Sequence, residues 1–206
     1  LDAERPGRMY AGISSVGLFR TDDGGESWQL NSKGTEPAIP PRIDENGGRC
    51  VHKAVLDPSN PEIVFQQSHR GTYRSRDGGL TWDDIGRDLP STFGFPMVNH
   101  PRRPGKLYTV LMDSDEFRSA AEGRVAVWIT DDAGDSWRAS TEGLPQRDAY
   151  TGVLREAMSV DGADPLGVYF GTTGGALYFS RDEGENWELM ADNLPRILSV
   201  EARVLG

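Results

Sequence analysis

The sequence predicts an all-β fold, a β-propeller of four-stranded antiparallel blades, on three observations. First, an eight-residue box recurs four times, at Thr21–Trp28, Ser75–Trp82, Thr130–Trp137 and Ser180–Trp187. The copies align as (Ser/Thr)-x-Asp-x-Gly-x-(Ser/Thr/Asn)-Trp, with tryptophans 54, 55 and 50 residues apart. That period is expected of propeller blades or other repeat arrays. Second, the same order of short apolar runs returns around each box, with no convincing helix between them. Third, runs such as Val125–Ile129 and Val168–Phe170 do not alternate in polarity, as strands covered on both faces do not.

The runs assign as follows. Arg8–Ile13 and Gly17–Arg20 precede the first box, and Ser27–Leu30 leaves it, giving a unit at about 8–30. The second unit, 50–85, is complete, with strands A (Cys50–Leu56), B (Glu62–Gln67), C (Gly71–Arg74) and D (Trp82–Ile85). The third, 96–140, runs Pro96–Asn99, Lys106–Met112 and Val125–Ile129 into its box. The fourth, 153–190, runs Val153–Val160, Gly167–Gly171 and Ala176–Phe179 into the last box. Prolines at 58 and 61, and at 101 and 104, mark the A–B turns, because proline cannot donate to a central ladder. Residues 197–205 look like one more A strand, placed to complete the first unit, which lacks its own. The expectation is one domain over 1–206, or the C-terminal portion of a larger ring.

Composition bounds the function. A net charge of −10 with no Lys/Arg cluster argues against nucleic acid as a partner. No stretch has the apolar length of a membrane span. Cys50 is the sole cysteine, which excludes an internal disulfide and neither supports nor excludes secretion. A soluble chain is the expectation, its location open, with the cytoplasm favoured over secretion. The chain begins at Leu1 and not at methionine, suggesting a processed or excerpted chain. No cofactor motif is present. A carbohydrate or protein ligand fits the composition, and the oligomeric state is left open.

The box residues read as scaffold. Asp23, Asp77, Asp132 and Asp182 can accept hydrogen bonds from turn amides. Gly25, Gly79, Gly134 and Gly184 supply positive φ. Trp28, Trp82, Trp137 and Trp187 are expected to be buried against neighbouring strands. The acids lack the spacing and terminal glutamate of an EF-hand loop.

The box resembles the Asp-box, or bacterial neuraminidase repeat, of sialidase-like propellers. The linked Gly17–Trp28 and Gly71–Trp82 segments further resemble bacterial proteins labelled glycosyl hydrolase or exo-sialidase-like. Similar repeats occur in photosystem II assembly factors, xyloglucanases and sortilin-type receptors. The resemblance covers essentially the whole chain and implies a propeller of six, seven or more blades, but one propeller hosts many functions. For a sialidase it implies three arginines on a substrate carboxylate, a Tyr/Glu nucleophile pair and an acidic general acid. Tyr150 with Glu156 and Arg155 is the nearest approach, with Asp115 as acid and Arg118 and Arg124 as further ligand-binding arginines. The Phe/Tyr-Arg-Ile-Pro signature is absent; Arg42-Ile43 and Arg196-Ile197 are the nearest dipeptides.

In an up-and-down blade the A–B and C–D turns share one face, so the boxes direct attention to the other. That face receives the connections 31–49, 87–95, 113–124 and 141–150, and long loops on a rigid scaffold usually carry function. Asp113, Asp115 and Glu116 lie in the longest B–C connection, as an acid and base for glycoside hydrolysis or as a solvated acidic loop. If Asp57 lies opposite Glu62, Cys50 faces His69, His52 faces Gln67, and Cys50 and His52 project to the same side. Cys50, His52 and His69 then form either a zinc- or copper-type ligand set or ordinary polar channel residues. A slip of one residue in register would disperse them.

Overall fold

The computed structural model describes residue 2 and residues 5–38 and 48–205. Among the described residues, fifteen strands form four antiparallel sheets. The first sheet is β1 (Met9–Ile13), β2 (Gly17–Thr21) and β3 (Gln29–Leu30). The second is β4 (Val51–Leu56), β5 (Val64–Ser68), β6 (Thr72–Ser75) and β7 (Asp83–Asp84). The third is β8 (Gly94–Asn99), β9 (Leu107–Leu111), β10 (Val127–Thr130) and β11 (Arg138–Ser140). The fourth is β12 (Val153–Val160), β13 (Val168–Thr172), β14 (Leu177–Ser180) and β15 (Glu188–Ala191). Among the described residues the only helical element is a 3-10 turn at Ala121–Gly123.

The sheets stand as blades around a common axis. The innermost strands pack in succession, β4 on β8 and β8 on β12. The apolar core lies between blades and not within them. Leu18 of the first meets Val51, Val64, Tyr73 and Trp82 of the second. Phe65 and Ile85 of the second meet Met97 and Leu107 of the third. Tyr108, Val127 and Ile129 of the third meet Met158, Phe170 and Trp187 of the fourth. A middle strand therefore buries both faces, and every residue of β5 and β9 is buried. This is why polarity does not alternate along them.

One hydrogen bond repeats in all four blades and fixes the strand positions. It runs from the box to the residue entering the second strand: Gly24 N to Gly7 O, Gly78 N to Glu62 O, Ala133 N to Gly105 O and Glu183 N to Leu166 O, at 2.8–3.1 Å. By this equivalence β1 is a second strand, and the A–B turns and boxes share one face, as the topology requires. The stretch 197–205 does not complete the first sheet. Its single strand-like pairing is a parallel bridge of Ser199 with Glu156, and Val200 N donates to Glu156 O at 2.8 Å. It lies beside β12, where a following inner strand would stand.

Within each box the hydroxyl of Thr21, Ser75, Thr130 or Ser180 donates to the aspartate at 2.6–2.7 Å. The same oxygen accepts the amide of the box glycine at 2.8–3.0 Å. The aspartate then accepts the amide of Ser27, Thr81, Ser136 or Asn186 at 2.9–3.0 Å, and the side chain of that same residue as well. The carboxylates are thus saturated inside their own turns.

The tryptophan carries the box outward to the preceding blade. The indole N–H donates to Asn31 O from Trp82, to Ile85 O from Trp137 and to Ser140 Oγ from Trp187. Trp82 and Trp187 are 4 % exposed, and Trp137 is half-buried. Backbone follows backbone at these joints: Gly34 and Gly143 sit at φ +99 and +86, and a Cβ there would lie 2.1 and 2.0 Å from the carbonyl oxygens of Trp82 and Trp187. The expected burial of Trp28 is not met. It is 41 % exposed and its N–H turns back to Gly25 O, because no blade precedes it among the described residues.

Replacing Trp187 with alanine should therefore destabilise the chain by about 3–5 kcal/mol. Trp28→Ala should cost under about 1 kcal/mol. Equilibrium denaturant melts of the two variants test the difference. The boxes also set an acid limit. At Asp23 the Ser27 hydroxyl and amide hold the carboxyl well below its usual 3.8. At Asp77, Asp132 and Asp182 desolvation pushes the carboxyl up, but the combined turn donors outweigh it and the net direction is down. A carboxyl depressed in the folded state stabilises fully above 3.8 and loses that contribution as pH falls through the folded value. Melting temperature should drop steeply below about pH 4, and Asp→Asn at Asp77 or Asp182 should flatten that limb while lowering stability at neutral pH.

Candidate functional site

The loop face gathers side chains from β4, β8 and β12 and from two B–C connections. The β4–β5 ladder is one residue out of the expected register near the A–B turn, pairing Leu56 with Val64 and Lys53 with Gln67. Lys53, and not His52, therefore faces Gln67. A bulge between Val51 and Lys53 then inserts one extra residue, His52, and restores the offset, so that Val51 pairs with Ser68 and His69 N donates to Cys50 O at 3.0 Å. The slip that would have dispersed the cluster is undone before it reaches the loop face. Cys50 Sγ and one ring nitrogen each of His52 and His69 all lie within 4.8 Å of one another.

Both imidazoles have a fixed proton. His52 Nδ1 lies 2.6 Å from Gly94 O; a carbonyl only accepts, so Nδ1 carries the hydrogen and Nε2 the lone pair. His69 Nε2 donates to Asp115 Oδ2 at 2.8 Å, leaving Nδ1 with the lone pair, buried and without a hydrogen-bond partner among the described residues. Burial pushes the His52 imidazole down to about 4, which keeps it neutral. The His69 N–H holds the Asp115 carboxyl below its ordinary value. Phe93 stands edge-on to both rings, with centroids 5.3 Å from His52 and 5.0 Å from His69, and Phe95 lies 4.7 Å from His52.

Phe95 joins this cluster to a second feature. A recess of about 470 Å³ is lined by Phe95, Met112, Arg118, Leu154, Arg155, Thr173 and Arg196. The Arg155 guanidinium lies 4.5 Å from the Phe95 ring centre, and Arg118 lies 5.7 Å from the same ring and 5.9 Å from Phe93. Arg118 Nε also donates to Asp115 O at 2.9 Å, a bond within the 113–118 loop. Among the described residues three arginines and no carboxylate line this recess, on a chain of net charge −10.

The remaining expected site residues lie apart. Asp113 and Glu116 are exposed on the loop rim. Arg124 pairs with Glu122. Tyr150 is 78 % exposed and borders a different recess, with Val125, Pro145 and Tyr178. Glu156 pairs with Lys53 at 2.6 Å near the axis, so Tyr150 and Glu156 do not form a couple. In the 31–49 connection, residues 39–47, including Arg42 and Ile43, lie outside the described residues. Arg196 was not among the expected site residues. Its signal is positional, since it ends a D–A connection as Phe93 does, and those connections open on the loop face.

No family model matches the chain. Over 121 residues, 55 % of its length, it is 25 % identical to vacuolar protein sorting/targeting protein 10 of Colletotrichum graminicola, and spans 7 % of that protein. Over 117 residues, 52 % of its length, it is 26 % identical to a probable oligoxyloglucan-reducing end-specific xyloglucanase of Neosartorya fischeri, of which it spans 13 %. Among solved structures, an ancestral GH74 enzyme superposes with a TM-score of 0.67 at 21 % identity, over 94 % of this chain and 23 % of that one. The fold is a β-propeller. YCF48 from Cyanidioschyzon merolae agrees, with a TM-score of 0.57 at 15 % identity, over 92 % of this chain and 54 % of that one. The chain spans 7 % and 13 % of these two curated relatives and about half or less of these two solved structures, and at these identities the structural likeness concerns the propeller alone.

Proposed function

We propose that this chain is an Asp-box propeller that binds ligand on its loop face, and that the ligand carries a carboxylate or similar anion. The recess of Arg118, Arg155 and Arg196 against Phe95 carries the reading. Guanidinium groups offer paired donors that match a carboxylate, and an aromatic floor adds an apolar stacking surface. The boxes occupy the opposite face and spend their acids internally, which leaves the loop face to recognition. The expectation is micromolar to millimolar binding of a carboxylate-bearing glycan or an acidic peptide, with Arg155→Ala weakening it about tenfold or more. Titration calorimetry with sialyllactose, a glucuronate oligosaccharide, an acidic peptide and a neutral xyloglucan oligosaccharide tests this. Equal affinity for the neutral sugar, or no effect of Arg155→Ala, would defeat it.

A second reading, glycoside hydrolysis, draws on the 26 % identity to a probable xyloglucanase. It requires two carboxyl groups about 5–10 Å apart across a bound sugar. Asp113, Asp115 and Glu116 are the candidates of the loop face. Aryl glycosides including a sialoside give the direct assay. Turnover lost in Asp115→Asn or Glu116→Gln supports hydrolysis, and wild-type turnover no higher than theirs removes it.

A further inference from the structure

The geometry points to a transition-metal site at Cys50, His52 and His69, and we propose that it takes one borderline-soft divalent ion of the zinc class, with Asp115 as the carboxylate that orients His69. This does not rest on the anion-binding reading, since it concerns other side chains and a cation.

Four observations converge. The three donor atoms lie within 4.8 Å of one another. Zinc–sulfur and zinc–nitrogen bonds of about 2.3 and 2.0 Å set ligand atoms about 3–4 Å apart, so a separation within 4.8 Å is about an ångström from the bound geometry. The hydrogen bonds to Gly94 O and Asp115 Oδ2 take the proton-bearing nitrogens of the two rings and leave His52 Nε2 and His69 Nδ1 as bases. A histidine ligand commonly donates its other N–H to a carboxylate or backbone carbonyl, and here one ring does each. Finally, among the described residues His69 Nδ1 is buried without a hydrogen-bond partner, and an unsatisfied buried base stands at a cost that a bound cation removes.

The donor set selects the ion. One thiolate and two imidazoles favour zinc-like ions over magnesium or calcium, which take oxygen ligands. A thiol beside a carboxylate-held imidazole is also the arrangement of a cysteine nucleophile. That chemistry uses one base, however, and the second imidazole, from His52, adds a further donor that suits a cation. Three protein ligands leave one tetrahedral position for water or an exogenous group. Phe93 and Phe95 wall the cluster, and Phe95 is shared with the arginine recess. On binding, Cys50 gives up its thiol proton to solvent, and no electron transfer is involved.

The test strips the chain with chelator and titrates it with Zn(II) and separately with Co(II). Native mass spectrometry reads stoichiometry, and the cobalt–thiolate charge-transfer band reads the ligand set. The expected result is one equivalent of either metal, protection of Cys50 from iodoacetamide by Zn(II), and loss of the charge-transfer band in Cys50→Ser. Asp115→Asn, at a partly exposed loop position that leaves the blades untouched, should retain the site and weaken Zn(II) binding about 10–100-fold. Far-ultraviolet circular dichroism on each variant confirms folding. The proposal is overturned if the wild type takes up no stoichiometric metal, if Cys50→Ser binds as tightly as the wild type, or if Cys50 alkylates at the same rate with and without Zn(II).

Discussion

The structure depends on the joint between neighbouring blades, and that joint is made by an indole. A lone four-stranded blade cannot cover either face of its middle strands. Trp82, Trp137 and Trp187 close this gap by reaching from one blade's outer hairpin to the chain leaving the outermost strand of the blade before it. The box exists to aim that side chain. Its aspartate and hydroxyl saturate the turn amides, its glycine takes the backbone through positive φ, and the strand after it emerges with the indole directed at the neighbour. The contrast with Trp28, which has the same box and half-open surroundings, shows that burial comes from the adjacent blade and not from the motif.

Once the joints are made, the two faces of the disc have different duties. The box face is cross-tied by short-range hydrogen bonds and by groups such as Lys106, which meets Asp131 and Glu183 at 3.1 and 3.0 Å. The loop face carries few such ties. It holds arginines over aromatic rings, two histidines and a buried thiol, groups whose bonding capacity is only partly used. Free capacity on a rigid frame is the usual signature of recognition or chemistry.

Much of the fold was legible in the sequence because it is periodic. Four copies of one motif mark four blade units within this sequence, the direction of the hairpins and the face on which they lie, and no single strand assignment needs to be right for that inference to hold. Two features escaped it. Residues 197–205 look like a closing strand by composition, yet they lie beside β12, since a run of apolar residues does not state which neighbour it will meet. The arginine recess draws Arg118, Arg155 and Arg196 from three separate segments. No window of sequence contains them together, and the expected sialidase couple of Tyr150 and Glu156 failed for the converse reason, that six residues of separation did not bring the side chains together.

The Cys50, His52 and His69 cluster shows a subtler limit. Pairing β4 outward from the Asp57 turn gives the wrong register along most of the strand and the right neighbours at its end, because the bulge at His52 cancels the slip. The arrangement is therefore encoded in a residue count as much as in residue types. Removing a single residue between Cys50 and Asp57 would leave the cysteine, both histidines and the aspartate at 115 in the chain, and would still turn His52 toward the opposite side of its sheet. A homologue can thus match every donor letter by letter and lack the cluster altogether, and the length of the first inner strand is the character to compare.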